Sequence, residues 1–166
     1  KLLSRDPTRL ITERLNKQSK RLEILRSLRG TDAAGLVVYA AENGGPPVNL
    51  SDRDFFRMLR ENPGRGLVIN KPVLGRMSGE WVWLFARPVL RPDGAFDGVV
   101  FAAISIRALS EIFSQVKLGE NDAITLRGAD LGLIVRYPMP LGEQPGINDT
   151  RVSQPMRDAL AAQTGR

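Results

Sequence analysis

Hydrophobic and polar positions change period several times along this chain, and each change marks an element. Ile11, Leu15, Leu22, Leu25 and Leu28 recur at helical spacing behind Asp6-Pro7, where the carboxylate can cap free N–H groups and the proline fits a first turn. Gly30 closes this run, which predicts a helix of roughly 24 residues with a single apolar stripe interrupted by Gln18. From Gly35 the texture turns β-rich, and "GLVVYAA" predicts a first core strand ended by the breakers "ENGGPP". "NLSDRDFFRMLREN" predicts a short helix ending near Asn62 or Pro63, with Ser51 as its cap, Asp54 reciprocating, and Phe55, Met58 and Leu59 buried.

"GLVINKPVLG" and "EWVWLFARPVL" read as strands, and "RPDG" as a turn, because Pro92 presets one dihedral while Asp93 and Gly94 accept turn conformations. "FDGVVFAAISI" then returns antiparallel. "RALSEIFSQVKLG" places Leu109, Ile112, Phe113 and Val116 at helical spacing and stops at Gly119, and "DAITLRGADLGLIVRYP" is a second hairpin turning at "RGAD". Beyond Pro138, "PMPLGEQPGINDT" has the Pro and Gly of a connection, and "SQPMRDALAAQTG" predicts a short helix. This order argues for an α+β fold: a central antiparallel sheet of about five strands flanked by a long N-terminal helix and short helices.

One stretch, "SGEWVWLFARPV", is apolar in both strand phases. Val82, Leu84 and Ala86 form one row, and Trp81, Trp83, Phe85 and Arg87 the other. A strand apolar on both faces is central in its sheet, and small side chains at Val82 and Ala86 suit a close-packed helix while the aromatic row suits the wall of a cavity. Arg87 then becomes a cation at that cavity, able to grip a carboxylate through two parallel hydrogen bonds. The competing reading pairs Arg87 with an internal acid such as Asp54, or stacks it on a ring.

Charge and composition narrow the chemistry. The 166 residues contain no Cys and no His, which removes thiolate nucleophiles, disulfides, Cys or His metal sites and imidazole acid–base catalysis. The net charge of +6 resides in residues 1–30, with nine Lys/Arg against three acids, while the remaining 15 basic and 15 acidic groups cancel. Neither a nucleic-acid recognition motif nor interleaved stacking aromatics accompany that basic segment, so no nucleic-acid partner is expected. Asp93, Asp122 and Asp130 sit in turns where Asp is expected, the glycines form no phosphate loop, and no nucleophile motif is present. The expectation is a non-enzymatic chain with neither cofactor nor metal. The longest apolar run, Val99 to Ile106, is far short of the ~20 residues that span a bilayer.

"GLVVYAAENG", "NLSDRDFFRMLREN", the Ser-Gly-x-Trp lead into an Ala-Arg strand, the "PDGxFxGVV" hairpin and "RYP" follow one another in an order that resembles the extracytoplasmic Cache-type sensor domains. These are PAS-like folds found in bacterial membrane-bound diguanylate cyclases, histidine kinases and chemoreceptors. The resemblance covers roughly residues 20–138 and implies a PAS-like ligand-binding module over 31–140. Residues 1–30 would be a signalling helix, and 141–166 a connection and the start of an incomplete second module. The resemblance further implies a periplasmic portion of an inner-membrane protein, anchored through segments outside these residues, with two-component, cyclase or methyl-accepting output downstream. The family's amino-acid-binding subset carries an Arg-x-Trp-Tyr motif that this chain lacks.

The expected ligand is a small polar or anionic molecule such as a carboxylate. Its expected site comprises Arg87, Trp81, Trp83 and Phe85, joined by Asp54 and Arg57 of the short helix, Arg76 and Ser78 of the loop before the aromatic strand, and Arg136 and Tyr137 at a strand end. Asp52 and Asp54 also suit a helix start without any ligand role. The alternative function is a dimerisation or interaction module acting through the basic amphipathic helix, whose stripe suits the seam of a homodimer.

Overall fold

The computed structural model describes residues 7–21, 24–40, 47–139 and 146–164. The expected cap Asp6, the stripe residue Leu22, the breakers at 42–46 and most of the Pro/Gly connection lie outside them. The chain divides into two units, Lys1–Leu109 and Ser110–Arg166, so the division falls earlier than the expected boundary at 140/141.

In the first unit, α1 (Pro7–Ser19) is half the expected length, and the residues expected to continue it form strand β1 (Leu25–Thr31). The correction has a physical cause. Leu25 and Leu28 fit a helical period, yet Ser27, Gly30 and Thr31 are weak helix formers, and the segment gains a full antiparallel ladder with β6 (Phe96–Ser105), from Leu25 opposite Ile104 to Gly30 opposite Val100. Thr31 Oγ1 adds a buried hydrogen bond from Val99 N at 3.1 Å. α1 lies against β1 and β2 (Val37–Tyr39), where Thr12 Oγ1 accepts from Ala40 N. The expected "first core strand" is therefore β2, an edge strand.

Helix α2 (Asp54–Glu61) starts later than expected. Its N-cap is Arg53, without a side-chain cap, and Ser51 instead donates its N–H to Asn49 Oδ1 in the preceding turn. Phe55, Phe56 and Leu59 are buried along its inner face, with Phe55 against Phe101 at 5.7 Å and Phe56 edge-on to Phe96 at 5.6 Å.

"GLVINKPVLG" splits into two short strands, β3 (Val68–Ile69) and β4 (Val73–Leu74), separated by Asn70-Lys71-Pro72. Both pair with β5 (Trp81–Leu90), whose other edge pairs with β6 from Val82 to Leu90. The sheet runs β2-β1-β6-β5-β3, with β4 beside β5, so the expectation of a central β5 holds. The β5–β6 turn closes as expected, Gly94 N donating to Arg91 O and Ala95 N to Asp93 Oδ1. At Gly98, with φ +143°, a Cβ would collide with the Thr31 carbonyl oxygen, which is why glycine occupies this point of β6.

α3 (Ile106–Phe113) straddles the division between the units and ends six residues before Gly119, leaving Val116 half exposed. The second unit holds the hairpin of β7 (Ile124–Arg127) and β8 (Leu133–Tyr137), followed by α4 (Gln154–Thr164). Leu133, Ile134, Val135 and Val152 are its buried apolar residues. Arg127 Nη1 ties it together by donating to the carbonyl oxygens of Leu131 and Asp149.

Candidate functional site

The two faces of β5 are not equivalent. Val82, Leu84 and Ala86 are buried, at 3%, 7% and 0% exposure, and they share a face with Phe101 and Ala103 of β6. Over this face opens a cleft that holds about 520 Å³ of space, open solvent included. Its walls come from three further places: Arg26, Ser27 and Arg29 of β1, Leu50, Arg53 and Phe55 around the start of α2, and the run from Val73 to Ser78 that carries β4 into the turn before β5.

A bulge in β1 shapes one wall. Between Leu25 and Ser27 the pairing with β6 slips, so Arg26 is an extra residue opposite no partner and lines the cleft together with its neighbour Ser27. Arg29 then follows Ser27 on the same strand face and is buried, at 8% exposure. Among the described residues lining the cleft, every ionisable side chain is an arginine: Arg26, Arg29, Arg53 and Arg76.

Carboxylates just outside the lining hold two of these arginines in place. Arg76 grips Asp52 through both guanidinium nitrogens, at 3.0 and 2.8 Å, and also donates to the Asn49 carbonyl oxygen at 2.6 Å. This hydrogen-bonded guanidinium lowers the Asp52 carboxyl below its ordinary value against the opposing effect of desolvation, and Asp52 raises Arg76 in return. Arg26 stands 3.5 Å from Glu80. Arg53 donates to the Leu74 carbonyl oxygen at 3.4 Å, and Arg29 Nη1 reaches Met77 Sδ at 3.0 Å. Such a donor set, guanidiniums above an apolar floor of Leu50, Phe55, Leu84 and Phe101, suits an anion and repels a metal cation.

Most of the expected site residues lie away from this cleft. Trp81, Trp83, Phe85 and Arg87 lie on the opposite face of β5 from the cleft; the three rings are half-buried, Trp83 meets Phe85 edge-on at 4.6 Å, and Arg87 is exposed. Asp54 and Arg57 pair with each other at 2.6 Å on the exposed side of α2 and do not line the cleft. Tyr137 and Arg136 belong to β8 of the second unit. Of the expected residues, only Arg76 and Ser78 line the cleft, where Arg26, Arg29 and Arg53 join them. A usable signal for the missed residues was present: in "RSLRGT", Ser27, Arg29 and Thr31 alternate with Leu28 and Gly30, a strand period with a polar, charged row.

No protein-family model matches the chain, and no curated protein matches it either. Solved structures do. The extracellular domain of rpHK1S-Z16, described as a histidine kinase, superimposes with a TM-score of 0.72 at 32% identity, over 80% of this chain and 55% of that one. This is the fold of extracytoplasmic sensor domains. The ligand-binding domain of the Pseudomonas aeruginosa amino-acid chemoreceptor PctC has it too, at TM-score 0.64 and 18% identity, over 90% of this chain and 64% of that one. So does the sensor domain of the V. cholerae histidine kinase DctB, at TM-score 0.61 and 11% identity, over 95% of this chain and 57% of that one. The chain thus spans between 55% and 64% of the length of these sensor domains. The Cache-like α+β fold implied by the sequence motifs is the observed one, and these neighbours are sensor domains and not catalytic ones.

Proposed function

We propose that this chain is an extracytoplasmic sensory input domain whose arginine-lined cleft binds a small carboxylate. The observation that carries the reading is the convergence of Arg26, Arg29, Arg53 and Arg76 on one apolar cleft with no acidic residue among the described lining. A carboxylate offers a guanidinium two parallel acceptors, and a buried arginine such as Arg29 makes that pairing stronger than it is in water.

Structures of the similar receptors support the ligand class: PctC was solved with GABA, CtaA of Pseudomonas fluorescens with L-serine and Tlp3 of Campylobacter jejuni with isoleucine, each of which carries a carboxylate. Those molecules also carry an ammonium group, which needs an acceptor of negative charge. The described lining supplies none, and with the Arg-x-Trp-Tyr motif absent the reading here is a carboxylate without an ammonium group. Binding would bias a signal only through different affinities for two states of the domain, passed on to a kinase, cyclase or methyl-accepting output outside these residues. Periplasmic placement, membrane anchoring, a homodimer of the whole protein and a second module completed beyond residue 166 belong to the same proposal.

Melting curves with malonate, phosphate and alanine test it. Malonate should raise the melting temperature of the wild type and of Arg87→Ala, and should leave Arg53→Ala unmoved. If no carboxylate shifts the wild type, or if alanine matches malonate, the reading fails.

A further inference from the structure

The turn from Gly75 to Glu80 forms one lip of the cleft, and the ion pairs at its two ends differ in kind. At one end Arg76 meets Asp52 through both guanidinium nitrogens, at 3.0 and 2.8 Å, and donates also to the Asn49 carbonyl oxygen. A two-pronged pair of this sort fixes orientation as well as charge. At the other end Glu80 Oε2 stands 3.5 Å from Arg26 Nε, and both side chains are half exposed. An exposed pair at that distance holds weakly, because water screens it and two long side chains must be ordered to make it. The backbone, and not that contact, places the two groups. Glu80 O accepts from Gly75 N while Glu80 N donates to Ser78 Oγ at 3.3 Å, so the carboxylate leaves the hairpin at a fixed point beside the cleft. Arg26 is the extra residue of the β1 bulge, opposite no partner on β6, and it lines the cleft.

We propose that Glu80 is the internal counter-ion of the cleft: it holds Arg26 while the cleft is empty, a ligand carboxylate takes Arg26 from it, and this exchange sets the affinity. This rests on the anion-binding reading above. A ligand gains Arg26 only by displacing a carboxylate of the chain itself, so its affinity is reduced by the fraction of molecules in which the pair is closed. Neutralising Glu80 therefore strengthens binding, although Glu80 is not part of the lining and touches no ligand. The exchange also unties one end of the lip from β1 while Asp52 keeps the other end clasped, so an occupied cleft differs from an empty one in the anchoring of this turn.

The test is a double-mutant cycle on malonate affinity, with Glu80→Gln, Arg26→Gln and the double variant. Glu80→Gln should bind malonate about fivefold more tightly than the wild type and Arg26→Gln about tenfold more weakly, while adding Glu80→Gln to Arg26→Gln should change the affinity by less than about twofold. An equal gain in both backgrounds would mean that Glu80 acts as a distant charge and not through Arg26, and would overturn the exchange. Unchanged or weaker binding in Glu80→Gln alongside measurable binding to the wild type would overturn it too, while leaving the anion site standing. A second measurement needs no ligand: solvent exchange of the Arg26 Nε proton, followed by NMR, should be slower in the wild type than in Glu80→Gln. Equal rates would overturn the pair whatever malonate does. Slowed exchange together with malonate that binds none of the four proteins would instead overturn the anion-binding reading, and the ligand exchange with it.

Discussion

Phe56 has no exposed surface and meets Phe96 edge-on, so it fixes the depth at which α2 sits over the sheet and with it the outer wall of the cleft. Truncation to alanine should cost about 3–5 kcal/mol in chemical denaturation, because the surrounding strands cannot close the cavity that remains. A loss below about 1 kcal/mol would mean that the residue is not packed as described. At this scale the sequence was legible in its rows and not in their direction. Alternation groups Trp81, Trp83, Phe85 and Arg87 correctly on one face of β5, but a period of two says nothing about which row meets α2. Both rows are apolar, and side-chain size sorts them only in part: the smaller Val82, Leu84 and Ala86 do lie under a helix, α2, with Phe55, Phe56 and Phe101, but the cleft opens on that same face and not beside the aromatic row. The ligand role expected of Arg87 rests on the side given to the cavity alone, and on the face away from the cleft Arg87 is an exposed cation.

Among the elements, the β5–β6 and β7–β8 hairpins were legible because their turns are set by local chemistry, Asp93-Gly94 in one and Gly128 to Asp130 in the other. β1 was not, since its strand state depends on pairing with β6, about 70 residues further along, which no local window contains. That single misreading concealed Arg26 and Arg29, and with them half of the arginines in the cleft. The loop that leads into α4 offers a titration test of its own. Asp149 chelates the Arg151 guanidinium at 2.7 Å and also accepts the Arg151 backbone N–H, which lowers its carboxyl from 3.8 to about 2. A carboxyl depressed in the folded state stabilises fully above its unfolded value and loses that contribution as protons bind below it. Melting of Asp149→Asn should therefore fall below the wild type at pH 7, and the difference should shrink as the pH drops from 3.8 to about 2. A difference that stays constant across that range would contradict the pairing.

For the molecule as a whole, the order of elements carried more information than any one of them. Long helix, strand, short helix, strands, hairpin, helix and hairpin predict an α+β sensor fold even though α1 is shorter than its period suggests, because the fold depends on the sheet and on α2, whose patterns are strong. The location of the cleft follows from that architecture: α2 and the turn before β5 close over one face of the sheet, and the arginines come from elements far apart in sequence. No sequence motif gathers such residues, so only the assembled fold brings them together. The position of the ligand is accordingly the claim to test, and chemical-shift mapping of the labelled protein during a malonate titration tests it most directly. Saturable shifts are expected at Ser27, Arg29, Arg53 and Met77, with the indole signals of Trp81 and Trp83 unmoved. Shifts concentrated at Trp81, Trp83 and Arg87, or no saturable shift at the cleft residues, would contradict it.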